Sequence, residues 1–259
     1  MSRMRKLVVA GALALGIASP GFAAEAPKPP SQSWGFEGLF GTYDRASLQR
    51  GYQVYKEVCA SCHSLGQIRY RDLGVSPGGI GLGYSEDEVK AIAAEFKVMD
   101  GPNDNGEMFE RTARPADRLH SPFANEKAAR SANNGAYPPD LSLIVEARKN
   151  GADYLYALLT GYKDPPAGVT LNEGMHYNAW FPGFQIAMGS PLSDDRVTYG
   201  DGTKATVSQM ARDVTVFLAW ASEPNLEQRK ALGLKVILFL IILSGILYAA
   251  KRKIWSDVH

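Results

Sequence analysis

Both cysteines of this 259-residue chain lie in the stretch "VYKEVCASCHSLG", as Cys59 and Cys62, and His63 follows the second directly. Four chemistries use such a cluster. Two lone cysteines in an exported protein commonly form a disulfide. A Cys-x-x-Cys redox pair belongs at a strand-to-helix junction, but the preceding "SLQRGYQVYKE" is helical in pattern, with no strand-like alternation ahead of it. Zinc needs about four ligands, and the chain has no second cysteine pair. The fourth chemistry is Cys-x-x-Cys-His, the attachment sequence of a c-type haem. Two thiols add across the two vinyl groups of the porphyrin, and the adjacent histidine is carried beneath the iron. The cluster therefore predicts one covalent haem c on Cys59 and Cys62, with His63 as proximal iron ligand.

An electron-transfer haem takes a second axial ligand, and a methionine opposite a histidine raises its potential. Beyond the first residues the methionines are Met99, Met108, Met175, Met188 and Met210. Met210 shares an apolar helical stripe with Val214, Phe217, Leu218 and Ala221, so it reads as core. Met99 and Met108 sit in the polar stretch "MDGPNDNGEM", which reads as a surface loop. Met175 and Met188 remain, with His176 as a rival. Met188 lies in "FPGFQIAMGSPL", where Pro182, Gly183, Gly189 and Pro191 force an irregular loop able to approach a porphyrin face. The haem propionates want amide, hydroxyl or guanidinium donors. The segment "RSANNGAYPPDLSLIVEARKNGADYLY" offers Arg130, Asn133, Asn134, Arg148 and Tyr154.

The elements that would position these groups are mainly helical. A first helix is expected over residues 47–58, leading into the cysteine pair. "SEDEVKAIAAEF" has a Ser cap and an acidic first turn, and predicts a second. "PDLSLIVEARKNG" and "ADYLYALLTGY" predict two more, divided at Gly151. "TVSQMARDVTVFLAW" predicts another, with Thr206 and Gln209 as a capping box. "DLGVSPGGIGLGYS" is a glycine-rich loop without the Gly-Lys-Ser/Thr ending of a phosphate loop, so nucleotide binding is excluded.

The two ends place the domain. Arg3, Arg5 and Lys6 precede "LVVAGALALGIA" and the small residues of "SPGFAAEA", which predicts a signal peptide over residues 1–23. The apolar run at 232–250 has the length of a membrane span, and Lys251, Arg252 and Lys253 after it belong on the cytoplasmic side. The expected organisation is a periplasmic domain at 24–230, an anchor at 231–250 and a cytoplasmic tail at 251–259. From residue 24 to 228 there are 26 Asp and Glu against 19 Lys and Arg, a balance of −7. An acidic exported face disfavours nucleic acid and favours a basic protein partner. Glu86, Asp87, Glu88, Asp194 and Asp195 are candidate docking carboxylates.

Taken together, "RGYQVYKEVCASCHS", "DGPNDNGEMF", "ARSANNGAYPPDLSLIVEAR", "YLYALLTGYKDPPAG", "YNAWFPGFQIAM" and "DGTKATVSQMARDVTVFLAWASEPNLEQRKALGLK" resemble the cytochrome c1 family over nearly all of the mature chain. The resemblance implies a fold like class I cytochrome c, with insertions and one C-terminal transmembrane helix. It implies Met188 as the sixth ligand and Arg148 as a propionate partner, with Asn133, Pro138, Pro139 and Tyr154 lining the haem. It further implies a subunit of a dimeric quinol–cytochrome c oxidoreductase in the bacterial inner membrane. Its neighbours would be cytochrome b and the Rieske iron–sulfur protein, and its acceptor a basic c-type cytochrome. The chain itself would carry out no independent substrate chemistry. The chain lacks the extra cysteine pair and the long acidic insertion of some members, so no disulfide should brace the domain and docking would rely on dispersed carboxylates. Three other functions compete. A free anchored carrier would need a flexible linker before the span, a haem sensor an open sixth position, and a thiol oxidoreductase free cysteines.

Overall fold

The computed structural model describes residues 27–75 and 81–257. The expected signal peptide and residues 76–80 of the glycine-rich loop lie outside the described residues. The first helix, α1 (Arg45–Glu57), begins where the Asp44 carboxylate accepts hydrogen bonds from the Ala46 and Ser47 amides. That satisfies donors left open in a first helical turn. Leu48, Gly51, Tyr52, Val54 and Tyr55 form its buried face. The next helix, α2 (Glu86–Ala94), starts with a reciprocal box between Ser85 and Glu88. A short α3 (Glu126–Ala132) is capped by Asn125. Then come α4 (Gly151–Thr160), α5 (Val207–Ser222) and α6 (Leu226–Ile254). Strand is confined to two antiparallel pairs, β1 (Lys97–Asp100) with β2 (Phe109–Thr112), and β3 (His176–Tyr177) with β4 (Gln185–Ile186). The protein is mainly α, as its periodicities require.

The core is the crossing of α1 on α5, with α4 also packed against α5. Gly51 is the contact point: a Cβ there would sit 2.1 Å from the Asp213 carbonyl oxygen and 2.7 Å from Phe217 Cβ. Around it Leu48, Tyr52, Val54 and Tyr55 meet Met210, Val214, Phe217 and Trp220, all buried. Met210 is therefore core. Beside the crossing, the fully buried Asp213 carboxylate accepts from Arg50 Nε (2.9 Å), Arg50 Nη2 (3.1 Å) and Gln209 Nε2 (2.9 Å). The expected capping box is thus only half present. The Thr206 side chain does accept from the Gln209 amide, but the Gln209 side chain is drawn to Asp213.

One expected helix is absent. Residues 141–150 form successive turns. Pro138 and Pro139 precede the segment, and the Asp140 carboxylate takes Ser64 Oγ (2.7 Å), the Gly66 amide (2.8 Å) and the Ser142 amide (2.8 Å). The Leu141 amide donates to the Ser64 carbonyl. The backbone bonds within the segment are turn bonds, the Ile144 amide to the Leu141 carbonyl and the Ala147 amide to the Leu143 carbonyl, and left-handed Asn150 (φ 68°) ends the stretch.

Only residues 223–225 separate α5 from α6. The junction is clamped: Glu227 accepts from the Tyr43 amide (2.7 Å) and pairs with Arg45 (2.7 Å), while Lys230 Nζ donates to the Phe36 and Gly41 carbonyls. From Leu232 on, α6 is exposed along its apolar length. Its 29 residues would span about 43 Å at 1.5 Å per residue, more than the roughly 30 Å hydrocarbon core of a bilayer.

Candidate haem site

The cysteine pair closes the end of α1. One turn of 3-10 helix covers Cys59–Ser61, the Cys62 and His63 amides both donate to the Cys59 carbonyl (3.1 and 2.9 Å), and Ser61 Oγ donates to the Val58 carbonyl. Tyr55 Oη donates to the His63 carbonyl at 3.2 Å. This winding puts two half-buried thiols and a half-buried imidazole on one short turn. The two cysteines are not bonded to each other. Burial, then the neighbouring Cys62, pushes the Cys59 thiol up to about 12. A redox-active pair needs the opposite, a thiol pKa lowered toward neutrality.

His63 Nδ1 lies 2.8 Å from the Pro139 carbonyl oxygen. A carbonyl can only accept, so Nδ1 carries the proton and Nε2 is left with its lone pair. Burial lowers the His63 pKa, outweighing the raising effects of the Pro139 bond and the Asp140 carboxylate, and so favours the neutral ring. A neutral imidazole with one nitrogen anchored to backbone is the oriented form that ligates iron. Asp140 extends the support. Burial raises its pKa, but the bonds from Ser142, Gly66 and Ser64 outweigh this and hold it below the usual carboxylate value. Among the described residues no three His, Cys, Asp or Glu side chains converge as a metal site. One oriented imidazole nitrogen with two thiols beside it fits a metal that arrives inside a porphyrin.

A second group surrounds Met188. The half-buried Met188 follows the β3–β4 pair, and Tyr162 Oη donates to its carbonyl at 3.0 Å. The fully buried Asn178 ties this loop to the end of α4, donating to the Leu158 carbonyl and accepting from the Trp180 amide. Left-handed Gly183 and Phe184 make the irregular turn expected there. The rival His176 is exposed, its imidazole within 3.4 Å of where a Cβ on Gly189 would sit. Met175 is half-buried beside it.

The other expected residues lie on α3, on α4 and on the segment between them. Pro138 and Cys62 line one small cleft with Ser64, Ala129 and Asn125. Asn133 ends α3, donating to the Ala129 carbonyl at 2.7 Å. Tyr154 is buried, which raises its pKa, and the positive Arg148 partly offsets that. Arg148 itself is exposed, with a bond to the Ala147 carbonyl. Sequence reasoning missed Tyr162 and Asp140. For Asp140 a signal existed, an Asp directly after two prolines with Ser two residues on, the pattern of an Asx turn. Tyr162 carried none. Of the candidate docking carboxylates, Glu88 accepts from the Ser85 amide and hydroxyl, and Asp194 from the Val207 amide, so both serve helix starts. Glu86 and Asp87 are exposed and share Lys90.

Frame and site define a class: a mainly helical protein of the cytochrome c type, joined to one long apolar helix. Comparison with known proteins narrows it. The model of the cytochrome C1 family matches residues 34–258, and the chain belongs to that family. Its members are electron-transfer haem subunits of the cytochrome bc1 complex. The chain is 50% identical over 273 residues to cytochrome b/c1 of Bradyrhizobium diazoefficiens, covering 98% of this chain but 39% of that longer protein. It is 46% identical over 275 residues to cytochrome c1 of Rhodospirillum rubrum, 98% of each chain. It is 51% identical over 231 residues to the mitochondrial cytochrome b-c1 complex catalytic subunit of Candida albicans, covering 89% of this chain and 78% of that one.

Proposed function

We propose that this chain carries one haem c, attached through Cys59 and Cys62 and ligated by His63 and Met188, and relays electrons within a quinol–cytochrome c oxidoreductase. The electron would come from the Rieske iron–sulfur protein and leave to a basic c-type cytochrome. Cytochrome b would be the membrane partner, a pairing supported by the b/c1 name of the longer relative. The domain, residues 24–230, would stand in the periplasm on an inner-membrane anchor at 231–250, with residues 251–259 cytoplasmic.

The observation that carries this is the His63–Pro139 bond beside two unbridged thiols. A haem bound here supplies a one-electron ferric/ferrous couple. The chain's own residues do the rest. Pro139 fixes the imidazole tautomer, Tyr55 and Asp140 hold the turns on either side, and Tyr162 holds the Met188 loop. Arg148 and Tyr154 are the donors suited to a propionate, with Pro138 lining the cleft beside Cys62 and Asn133 at the end of α3. A freely diffusing anchored carrier is disfavoured by the clamped connection at 223–225.

The test is purification of the detergent-solubilised complex. Cytochrome b and an iron–sulfur protein should co-purify, and quinol should reduce the haem of this chain. Transfer to a basic c-type cytochrome should slow as salt rises, since opposed charge mainly speeds encounter. A chain that purifies alone and is not reduced by quinol would overturn the reading.

A further inference from the structure

The loop between Trp34 and Tyr43 is built to hold two apolar side chains out of the protein. It is closed by the Thr42 amide donating to the Gly35 carbonyl (3.0 Å) and the Glu37 amide donating to the Trp34 carbonyl (3.1 Å). Its base is buried: Phe36 packs between Trp34 and Tyr43, with ring centroids 5.7 and 5.3 Å away. Gly41 is required by the fold-back, because a Cβ there would lie 1.9 Å from the Glu37 carbonyl oxygen. Left-handed Gly38 (φ 71°) then turns the chain. The outcome is Leu39 at 62% and Phe40 at 77% exposed, on a loop whose other large apolar residues are buried.

The base of the loop is tied to the start of α6. Lys230 Nζ bonds the Phe36 carbonyl (2.6 Å) and the Gly41 carbonyl (3.2 Å), the two residues that flank the tip. Lys230 precedes by two residues the exposed Leu232, where the apolar surface of α6 begins with Leu232, Leu234 and Val236. Two residues of helix rise about 3 Å. The base of the tip is therefore tied to α6 two residues before the apolar surface of that helix begins. An ammonium beside exposed Leu and Phe is the composition of an interfacial contact, where apolar groups enter the acyl boundary and a Lys stays with the headgroups.

We propose that Leu39 and Phe40 form a second membrane contact, dipping into the headgroup region of the leaflet on the haem-domain side, so that the domain is held by two points. One helix alone leaves a domain free to tilt and rotate about its axis, and a second contact fixes which face looks along the membrane. The proposal rests on α6 spanning the bilayer.

The test uses the full chain with its haem, reconstituted in phosphatidylcholine–phosphatidylglycerol vesicles. These contain a phospholipid bearing a photoactivated diazirine near its glycerol backbone. After illumination and digestion, adducts are mapped by mass spectrometry. Adducts should appear on the peptide holding Leu39 and Phe40, severalfold above those on the exposed, polar 101–107 turn. If α6 is labelled while the Leu39–Phe40 peptide is no more labelled than 101–107, the second contact is wrong and the anchor stands. If α6 itself is unlabelled, the anchor reading fails first. A water-soluble diazirine supplies the opposing arm. Labelling of Leu39 and Phe40 by it in vesicles, with protection only in the assembled complex, would mean that a protein surface covers the tip and would overturn the lipid assignment.

Discussion

Replacing Gly51 by Ala tests the packing that holds the site. Helix propensity alone favours the change by up to about 1 kcal/mol. The structure opposes it. The new Cβ would sit 2.1 Å from the Asp213 carbonyl oxygen, and restoring a 3.4 Å contact requires α1 and α5 to part by about 1.3 Å. That gap would loosen Tyr52, Tyr55 and Phe217 and stretch the 2.9 and 3.1 Å bonds from Arg50 to Asp213. Overpacking of this kind costs typically about 1–3 kcal/mol, and backbone against backbone belongs at the upper end. The net expectation is destabilisation by about 2 kcal/mol, or a Tm lower by about 4–8 °C for a domain of this size. Thermal unfolding of the detergent-solubilised holoprotein, followed by far-UV circular dichroism, measures it. Gly233→Ala is the control, since nothing lies within 4 Å of a Cβ there. A Gly51→Ala protein as stable as the parent, or more so, would refute the close α1–α5 crossing.

Met188→Leu should leave the haem attached but lower its potential, because a thioether ligand favours ferrous iron, and the oxidised sulfur-to-iron charge-transfer band should vanish; if both are unchanged, the ligand is another residue, with Met175 next. Thr206→Ala removes the side-chain acceptor of the Gln209 amide and should cost about 1 kcal/mol in unfolding free energy. The Arg111 guanidinium grips Asp117 at 2.7 and 2.8 Å and holds its carboxyl at about 2, below the ordinary 3.8. A depressed carboxylate stabilises the fold above its unfolded pKa and loses that contribution as pH falls. Protection of the β1–β2 amides, corrected for intrinsic exchange, should therefore drop between pH of about 4 and about 2, and Asp117→Asn should shrink the drop to the part carried by Asp100, which Arg111 also holds below its ordinary value.

What the sequence disclosed was whatever its neighbours in the chain decide. Helix α1, expected over 47–58 and found at Arg45–Glu57, the Ser85 cap, the apolar stripe through Met210 and the long apolar α6 carry their signals within a few residues. Cys59, Cys62 and His63 form a contiguous cluster, so the haem chemistry was legible before any fold. Residues 141–150 misled because Asp140 and Leu141 bond to the turn after His63, some 75 residues earlier in the chain. The same separation hid the Pro139 carbonyl that sets the His63 tautomer. The β1–β2 and β3–β4 pairs and α3 are too short to show a period. Gly51 reads as a weak spot in a helix until its neighbour on α5 is known.

In the function proposed above, the turn at the end of α1 binds haem covalently. Mass spectrometry of the proteolytic peptide spanning Cys59 to His63, taken from protein extracted with acidic organic solvent, tests it most directly. Covalent attachment predicts a peptide heavier by one haem, with neither thiol open to alkylation and the added mass lost in a Cys59→Ala, Cys62→Ala protein. A peptide of unmodified mass, with both thiols alkylated and the haem in the solvent, would contradict it.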